Sequence, residues 1–371
     1  MKTGVLNLSY QNALGLRECF FEVFFLKKII VSITVCLFIY VPMGCLGKQL
    51  VYTAGPNGVS VINTTTNHRV KVIGIGDSQC IAITPNGRVA YVTNSDGVVS
   101  VINTATNRVV TTIPVGSSPQ YIAITPNGAT AYVVNNGSAS ISVINTATNR
   151  VVTTISVGNQ PQYVAITPNG ATAYVANNGS ASVSVINTAT NIVAETISVG
   201  VYPNNVAITP NGATAYVANA DFSGGAPGSV SVINTATNTV VGTIPVGLTP
   251  QYVAITPNGA TAYVANINTI SVINTATNTV VATISTDIIS SSLVFTSNGN
   301  KVYIAGLYQS GVVVINTVTN EVITTVDTGG SSHNYQDIAI TPVPNSFDAL
   351  KQAMQEADQD YNPLKLQKGV R

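Results

Sequence analysis

Side chains able to carry out acid–base or nucleophilic chemistry are sparse in this sequence. Histidine occurs at His68 and His333, and the second lies near Tyr335 and Asp337 in the chain. One histidine with one carboxylate does not make up a hydrolytic triad, and no Gly-X-Ser-X-Gly segment supplies a nucleophile. The carboxylates are scattered, and no His, Cys, Asp and Glu cluster has metal-ligand spacing. The pattern favours a protein that is not an enzyme and predicts neither a cofactor nor a metal site.

Amide and hydroxyl side chains offer binding chemistry instead. They recur at one position, directly before a strand-like run, and they are Gln79, Gln120, Gln162, Asn204, Gln251, Ser291 and Gln336. An amide both donates and accepts hydrogen bonds, so a ring of these side chains could hold a polar ligand or a sugar. The alternative interpretation is a lining solvated by ordered water. Whether the positions converge depends on the fold that the surrounding repeats define.

A repeated segment defines that fold. The segment Val-Ile-Asn-Thr-X-Thr-Asn begins at Val61, Val101, Val143, Val185, Val232, Val272 and Val314. The period is roughly 42 residues, which is typical of the blades of a β-propeller.

Each repeat contains four strand-like runs. In one repeat they are 163–167, 173–177, 182–186 and 192–198, separated by turns rich in Pro, Asn and Gly. Val, Ile and Thr dominate these runs, and helical periodicity is absent. The sequence therefore predicts an all-β, seven-bladed propeller of four-stranded antiparallel blades.

The two ends of the repeat region predict how the ring closes. The first repeat begins at 50–54 and lacks its own first strand, whereas a surplus strand follows the seventh repeat at about 337–341. Pairing the surplus strand into blade one would leave no unpaired edge at the centre of the ring. If the first strand of each blade is innermost, the amide positions encircle one mouth of the central channel.

Two insertions mark a preferred face. Residues 220–228 lengthen a loop between strands two and three, and 329–335 lengthen a connection from strand four to the next first strand. In an up-and-down blade these loop types lie on the same face, and repeat insertions often mark a binding face. Phe222, His333 and Tyr335 are the candidate partner contacts there. The alternative is neutral drift in loop length.

The motif Tyr-Val-Thr-Asn at 91–94 resembles the signature of the YVTN family of β-propeller repeats. Variants of it stand at 132–135, 174–177, 216–219 and 263–266. The resemblance covers roughly 49–342 and implies an exported or cell-surface propeller, similar to archaeal surface-layer and bacterial exported members. Similar repeats occur near lactonase-like propellers. We interpret the signature tyrosines as inter-blade packing rather than as a stacking site. The turns here read Thr-Pro-Asn-Gly instead of Ser-Pro-Asp-Gly, which disfavours cation binding at them.

The N-terminal region has the pattern of an export signal. Lys27 and Lys28 precede an apolar run over 29–41, and small residues follow up to Gly47. The alternatives are an uncleaved N-terminal anchor or a lipid on Cys45. No other attachment to a membrane is predicted. The predicted organisation is an extension and signal peptide at 1–47, a propeller at 48–343 and a tail at 344–371. The sequence of the tail is compatible with a short helix over 347–357 or with an irregular segment.

Charge and composition exclude one class of partner and leave others open. The net charge is +1 and only 8% of residues are charged, so no basic surface for nucleic acid is expected. We predict an extracellular or cell-envelope scaffold that binds a protein or glycan partner at the cell surface. One alternative is a secreted, lactonase-like hydrolase or lyase acting at the channel mouth, with His333 as acid or base. The other is a structural component of an envelope layer.

Overall fold

A computed structural model describes residues 50–55, 57–63, 68–221, 225–307, 311–327 and 337–340. All of them fall within the unit Lys48–Val343. The described residues form strands β1–β27 and two single-turn 3-10 helices, at Asn136–Ser138 and Asn178–Ser180. None of these helices is long or apolar enough to cross a bilayer. The predicted export signal, Cys45 and the predicted tail lie outside the described residues.

The strands group into blades in chain order. Blade one contains β1 (Leu50–Gly55), β2 (Gly58–Asn63) and β3 (His68–Ile73). Blade two contains β4 (Ser78–Ile83), β5 (Val89–Asn94), β6 (Val98–Asn103) and β7 (Arg108–Pro114). Blade three contains β8 (Pro119–Ile124), β9 (Thr130–Asn135), β10 (Ser140–Asn145) and β11 (Arg150–Ser156). Blade four contains β12 (Pro161–Ile166), β13 (Thr172–Asn177), β14 (Ser182–Asn187) and β15 (Ile192–Ser198).

The remaining blades follow the same order. Blade five contains β16 (Pro203–Ile208), β17 (Thr214–Asn219), β18 (Pro227–Asn234) and β19 (Thr239–Leu248). Blade six contains β20 (Tyr252–Ile255), β21 (Thr261–Ala265), β22 (Ile267–Asn274) and the first part of β23 (Thr279–Phe295). Blade seven contains the rest of β23, β24 (Lys301–Leu307), β25 (Gly311–Asn316) and β26 (Glu321–Asp327). The last strand is β27 (Asp337–Ile340).

Every strand pairs antiparallel with its neighbour, and the first strand of each blade is the innermost. The inner strands contact one another from blade to blade, as β8 contacts both β4 and β12 and β16 contacts both β12 and β20. This arrangement confirms the predicted seven-bladed, four-stranded propeller. It also brings the starts of the inner strands together around the central axis.

Blade one is completed from the far end of the chain. Strand β27 pairs antiparallel with β1, with Val51 opposite Ile340 and Ala54 opposite Asp337. The strand order of this sheet is β27-β1-β2-β3. The predicted closure of the ring by a C-terminal strand is confirmed.

Blades six and seven share one continuous strand, which the sequence did not predict. Strand β23 runs from Thr279 to Phe295, so β20–β26 form a single seven-stranded sheet. Ile289 pairs with Ile267 of blade six and with Leu307 of blade seven. The corresponding connections between blades two and six contain Gly and Pro, whereas residues 285–290 contain neither. Without those turn residues the chain stays extended from one blade into the next.

The hydrophobic core lies between successive blades rather than within one blade. Tyr132, Val134 and Val143 of blade three pack with Val164 and Val175 of blade four, and each of these side chains is buried. The two middle strands of a blade are therefore buried on both faces, including the serines of the third strand, whereas the outer strand is mostly exposed.

Each outer strand carries a β-bulge near its start. In blade three, Val143 lies opposite Thr153 and Ile144 opposite Val151, so Val152 is an extra residue. The equivalent residues are Val70, Val110, Ala194, Val241, Val281 and Ile323. Val152 is 58% exposed. A bulge bends an edge strand and hinders its pairing with another chain.

Candidate functional site: the loop face around the central channel

The signature tyrosines join neighbouring blades and do not line a binding site. The hydroxyl of Tyr132 in blade three donates to Asn191 Oδ1 of blade four over 2.8 Å. The equivalent pairs are Tyr52–Asn107, Tyr91–Asn149, Tyr174–Asn238, Tyr216–Asn278 and Tyr263–Asn320. Burial raises the pKa of Tyr132 to about 12. Their interpretation as inter-blade packing agrees with this geometry.

Two types of loop meet on one face, which we call the loop face. The N–H of Asn178, in the loop between β13 and β14, donates to the carbonyl of Gln160 over 3.0 Å. Gln160 lies in the connection from β11 to β12. The same bond joins Asn136 to Ser118 and Ala220 to Tyr202. The two loop types in which the insertions are predicted therefore share one face, as up-and-down blades require, whereas 222–224 and the whole insertion at 329–335 lie outside the described residues.

Four connections on the loop face contain a strained residue followed by proline. Ser118, Gln160, Tyr202 and Thr249 have φ between 48° and 51°. The left-handed region costs a non-glycine residue about 1–2 kcal/mol. Three of these residues, Ser118, Gln160 and Tyr202, recover part of that cost through the loop hydrogen bonds to their carbonyls. The connections are thus held in one conformation, and the first residues of the inner strands are held with them.

The predicted amide positions lie at the starts of the inner strands and are half-buried where described. Gln79, Gln120, Gln162, Asn204 and Gln251 all show this placement. Gln79 Nε2 donates to Asp77 Oδ2 over 3.1 Å. The Ser291 side chain and Gln336 lie outside the described residues.

Part of the amide set forms a chain across three blades. Asn178 Nδ2 of blade four donates to Asn204 Oδ1 of blade five over 2.8 Å. Asn204 Nδ2 in turn donates to Gln251 Oε1 of blade six over 3.2 Å. We call Asn178, Asn204 and Gln251 the amide chain. Asn178 was not predicted, although it follows a signature asparagine directly in the sequence.

Three tyrosines stand next to the amide positions on the inner strands. Tyr121, Tyr163 and Tyr252 follow Gln120, Gln162 and Gln251 in the chain. The Tyr121 hydroxyl donates to that of Tyr163 over 2.6 Å, and the Tyr163 and Tyr252 oxygens are 2.9 Å apart. We call them the channel tyrosines. The sequence reasoning missed them, although a tyrosine after the amide occurs in only some repeats and could have indicated a special role.

Blade five differs from its neighbours at the tyrosine position. Asn205 stands there and is buried, and its Oδ1 accepts a hydrogen bond from the N–H of Val253 over 3.0 Å. Because this side chain is small, Tyr163 of blade four reaches Tyr252 of blade six past it. The channel is therefore bridged by aromatic side chains on this side of the ring.

An exposed aromatic side chain precedes Asn204 of the amide chain in the sequence. Tyr202, two residues before Asn204, is 45% exposed, and its neighbour Val201 is 48% exposed. Leu248, in the connection from blade five to blade six, is 44% exposed. The other large exposed hydrophobic residues of the described chain lie on outer strands or, for Val318, in a turn on the opposite face. Sequence reasoning missed Tyr202, although Val-Tyr-Pro departs from the Ser-Ser-Pro and Asn-Gln-Pro of the preceding repeats.

A cleft opens on the loop face between blades three and four. It has a volume of about 410 Å³ and is bounded by Asn136, Gly137, Ala139, Asn159, Gln160 and Gly179. A second cleft, of about 440 Å³, lies on the opposite face and includes Thr167, Asn169 and Tyr174. The first cleft is lined mainly by amides and backbone, so its chemistry matches that of the neighbouring amide chain.

Titratable groups are sparse at this site. Within the described ranges, no three His, Cys, Asp or Glu side chains come close enough to hold a metal ion. Phe222, His333 and Tyr335 lie outside those ranges, so their predicted role as partner contacts stays a prediction. The described part of the site therefore offers hydrogen bonding and aromatic contact.

Comparison with known proteins supports the architecture. A family model described as a lactonase, 7-bladed beta-propeller, matches residues 97–199. No curated protein matches the chain. The matched residues 97–199 run from the third strand of blade two to the end of blade four.

Solved structures show the same fold at low identity. Hydrazine synthase from Kuenenia stuttgartiensis is 22% identical, with a TM-score of 0.65 over 71% of this chain and 94% of that one. A protein of unknown function from Desulfotomaculum acetoxidans is 21% identical, with a TM-score of 0.70 over 79% and 99%. A Bacteroides fragilis protein assigned as a 6-phosphogluconolactonase is 16% identical, with a TM-score of 0.66 over 80% and 99%. Likeness at this level concerns the fold alone.

Proposed function

We propose that the protein is an exported, non-enzymatic propeller that binds a neutral glycan on its loop face, over blades four to six. The observation that carries the proposal is the exposed side chain of Tyr202, two residues before Asn204 in the amide chain of Asn178, Asn204 and Gln251. A sugar presents an apolar face that packs on an aromatic ring and hydroxyls that pair with amides.

The charge distribution favours a neutral ligand over an anionic one. Between Arg150 and Lys301 the sequence contains no Lys or Arg, and blades four to six fall in this interval. A phosphate or carboxylate ligand would find no cationic partner there. The glycan proposal needs none, because amides and hydroxyls suffice for it.

Export is the second part of the proposal. It is supported by the signal-like pattern of Lys27, Lys28 and the apolar run over 29–41. The resemblance to exported propeller repeats points in the same direction. Fractionation of the native cells tests it, and recovery of the protein from the cytoplasm alone would contradict it.

The binding proposal is tested with the full chain on an array of neutral and acidic oligosaccharides, followed by titration calorimetry with the best neutral ligand. Tyr202→Ala and Asn204→Ala should each weaken binding by roughly tenfold, which is about 1.4 kcal/mol. Thr190→Ala, at an exposed turn on the opposite face, is the control and should bind normally. Absence of any bound glycan, or equal affinity of Tyr202→Ala and wild type, contradicts the proposal.

A lactone hydrolase is the second candidate, because the family-model match over 97–199 points to it. The full chain should be incubated with a panel of sugar lactones, and ring opening followed by acid release. We expect no turnover above the uncatalysed rate. Turnover that is lost in His333→Ala would replace the glycan proposal with the hydrolase.

A further inference from the structure

The pair Tyr121 and Tyr163 has a geometry that the glycan proposal does not use. Their ring centroids are 3.7 Å apart with an interplanar angle of 31°, and their hydroxyl oxygens are 2.6 Å apart. The rings are thus stacked and converge toward their hydroxyl ends. The ortho carbons lie between centroid and hydroxyl on each ring, so the two rings face each other at the carbons where phenoxyl radicals couple.

We propose that Tyr121 and Tyr163 are a site of oxidative cross-linking, at which hydrogen peroxide and a haem peroxidase produce a dityrosine between blades three and four. Each phenol loses one electron and its hydroxyl proton, and the two radicals form one bond between ortho carbons. The two ortho hydrogens then move to the phenolic oxygens as protons. Hydrogen peroxide accepts the two electrons and two protons and becomes two water molecules.

The geometry selects one pair among the channel tyrosines. The rings of Tyr163 and Tyr252 are nearly perpendicular, at 86°, with centroids 5.6 Å apart. Their hydroxyls touch, but in this edge-on arrangement the two rings do not lie face to face. Tyr252 can therefore pass an oxidising equivalent to Tyr163 through the hydroxyl contact, while carbon–carbon coupling occurs between Tyr163 and Tyr121.

The site is accessible and the bond would have a structural effect. Both tyrosines are half-buried at the channel, so a small oxidant or a radical carrier can reach them. Cys80 is the only cysteine among the described residues, so no disulfide joins two of them. A bond between residues 42 apart would restrict the unfolded chain and join two inner strands covalently.

The experiment treats the full chain with hydrogen peroxide and a haem peroxidase and measures its intact mass and its cross-linked peptides. The mass of the monomer should fall by two hydrogen atoms. Trypsin cuts at Arg108, Arg150 and Lys301, so a cross-link joins the peptides 109–150 and 151–301. Fragmentation should locate the bond at Tyr121 and Tyr163.

Three variants give the proposal its controls. Tyr163→Phe should lose the cross-linked species completely, whereas Tyr252→Phe should retain it. Tyr303→Phe, half-buried in blade seven, is the matched control and should also retain it. Oxidised wild type should melt a few degrees higher than untreated protein, and oxidised Tyr163→Phe should show no such rise.

Two results would overturn the inference. One is an intramolecular dityrosine that persists in Tyr163→Phe, and the other is coupling that maps only to Tyr202 between two chains. Circular dichroism of the untreated variants establishes that they are folded, which is expected because Phe keeps the packing of Tyr. The inference does not depend on the glycan proposal, since no ligand is present in the experiment.

Discussion

At the scale of single residues, one tyrosine hydroxyl forms a hydrogen bond across each described blade boundary. The Tyr132 ring fills the core between blades, while its hydroxyl reaches the turn of the next blade and donates to Asn191. Asn191 has φ 56°, a conformation that asparagine tolerates better than most residues. The tyrosine and the asparagine of the repeat therefore depend on each other across the boundary.

Alkaline pH should weaken this contact. The pKa of Tyr132 in the folded protein is about 12, above the ordinary 10.0, because burial disfavours the phenolate. Its contribution to stability is fully present below pH 10.0 and is lost as the pH rises to about 12. We expect the free energy of unfolding in urea to fall over this range, and to fall less in Tyr132→Phe. Identical pH dependence in the two proteins would contradict the assignment.

The sequence predicted some residues of the site and missed others for a physical reason. The amide positions follow from the repeat, so Asn204 and Gln251 were predicted at the channel mouth. The hydrogen bond from Asn178 to Asn204 depends on how two blades pack, and no pattern within one repeat shows it. Tyr202 was missed because it departs from the repeat, and the predictions were made for positions that the repeats share.

At the scale of elements, the connections on the loop face pack directly on the signature asparagines. Asn177 Nδ2 donates to Ser182 Oγ and Ser184 Oγ over 3.2 and 2.9 Å, which fixes its side chain in the core. A Cβ added to Gly158 would lie 2.7 Å from Asn177 Cγ. Gly116, Gly200 and Gly247 meet Asn135, Asn219 and Asn266 in the same way. Glycine is thus required at this point of the connection for close approach.

Gly158→Ala should therefore destabilise the protein. Asn177 cannot move aside without losing its hydrogen bonds, so we expect a loss of about 1–3 kcal/mol, as for overpacked cores. Gly242→Ala is the matched control, because a Cβ there would meet nothing within 4 Å. Chemical denaturation should show the control at or slightly above wild-type stability. Equal stability of the two variants would show that the Asn177 side chain can move aside without loss of stability.

The sequence predicted strands better than their irregularities. In the repeat over 162–199 the four predicted runs correspond to β12–β15, because turn residues bound them. The bulge at Val152 was not predicted, since two adjacent valines do not show which of them leaves the alternation. The continuous strand β23 was also missed, because a repeat implies a turn even where 285–290 lack Gly and Pro.

At the scale of the whole molecule, the ring depends on a contact between distant parts of the chain. Strand β27 pairs with β1 and also contacts the inner strand β4 and strand β23. It completes blade one and the ring of inner strands together. The sequence predicted this closure, because the first of the seven repeats lacks its first strand and a surplus strand follows the seventh repeat.

Removal of residues 337–371 should disrupt the ring, whereas removal of 345–371 should not. The first truncation deletes β27 and leaves β1 without its inner partner. Four residue pairs are lost at about 1 kcal/mol for each hydrogen bond, so we expect a loss on the order of 4 kcal/mol or more. Thermal unfolding followed by circular dichroism measures it. Equal melting temperatures for the two truncations would show that β27 is dispensable.

The pairing of β1 with β27 also determines how the molecule responds to tension. Val51 lies opposite Ile340, so the chain enters β1 and leaves β27 at the same end of the pair. A force that separates these two points loads the hydrogen bonds one after another, like a zipper, rather than all together in shear. A molecule held at both ends would therefore open first at blade one under a weak pull. The other blades would keep their strands paired at that stage, so the β1–β27 pair would be the weakest point of the ring under tension.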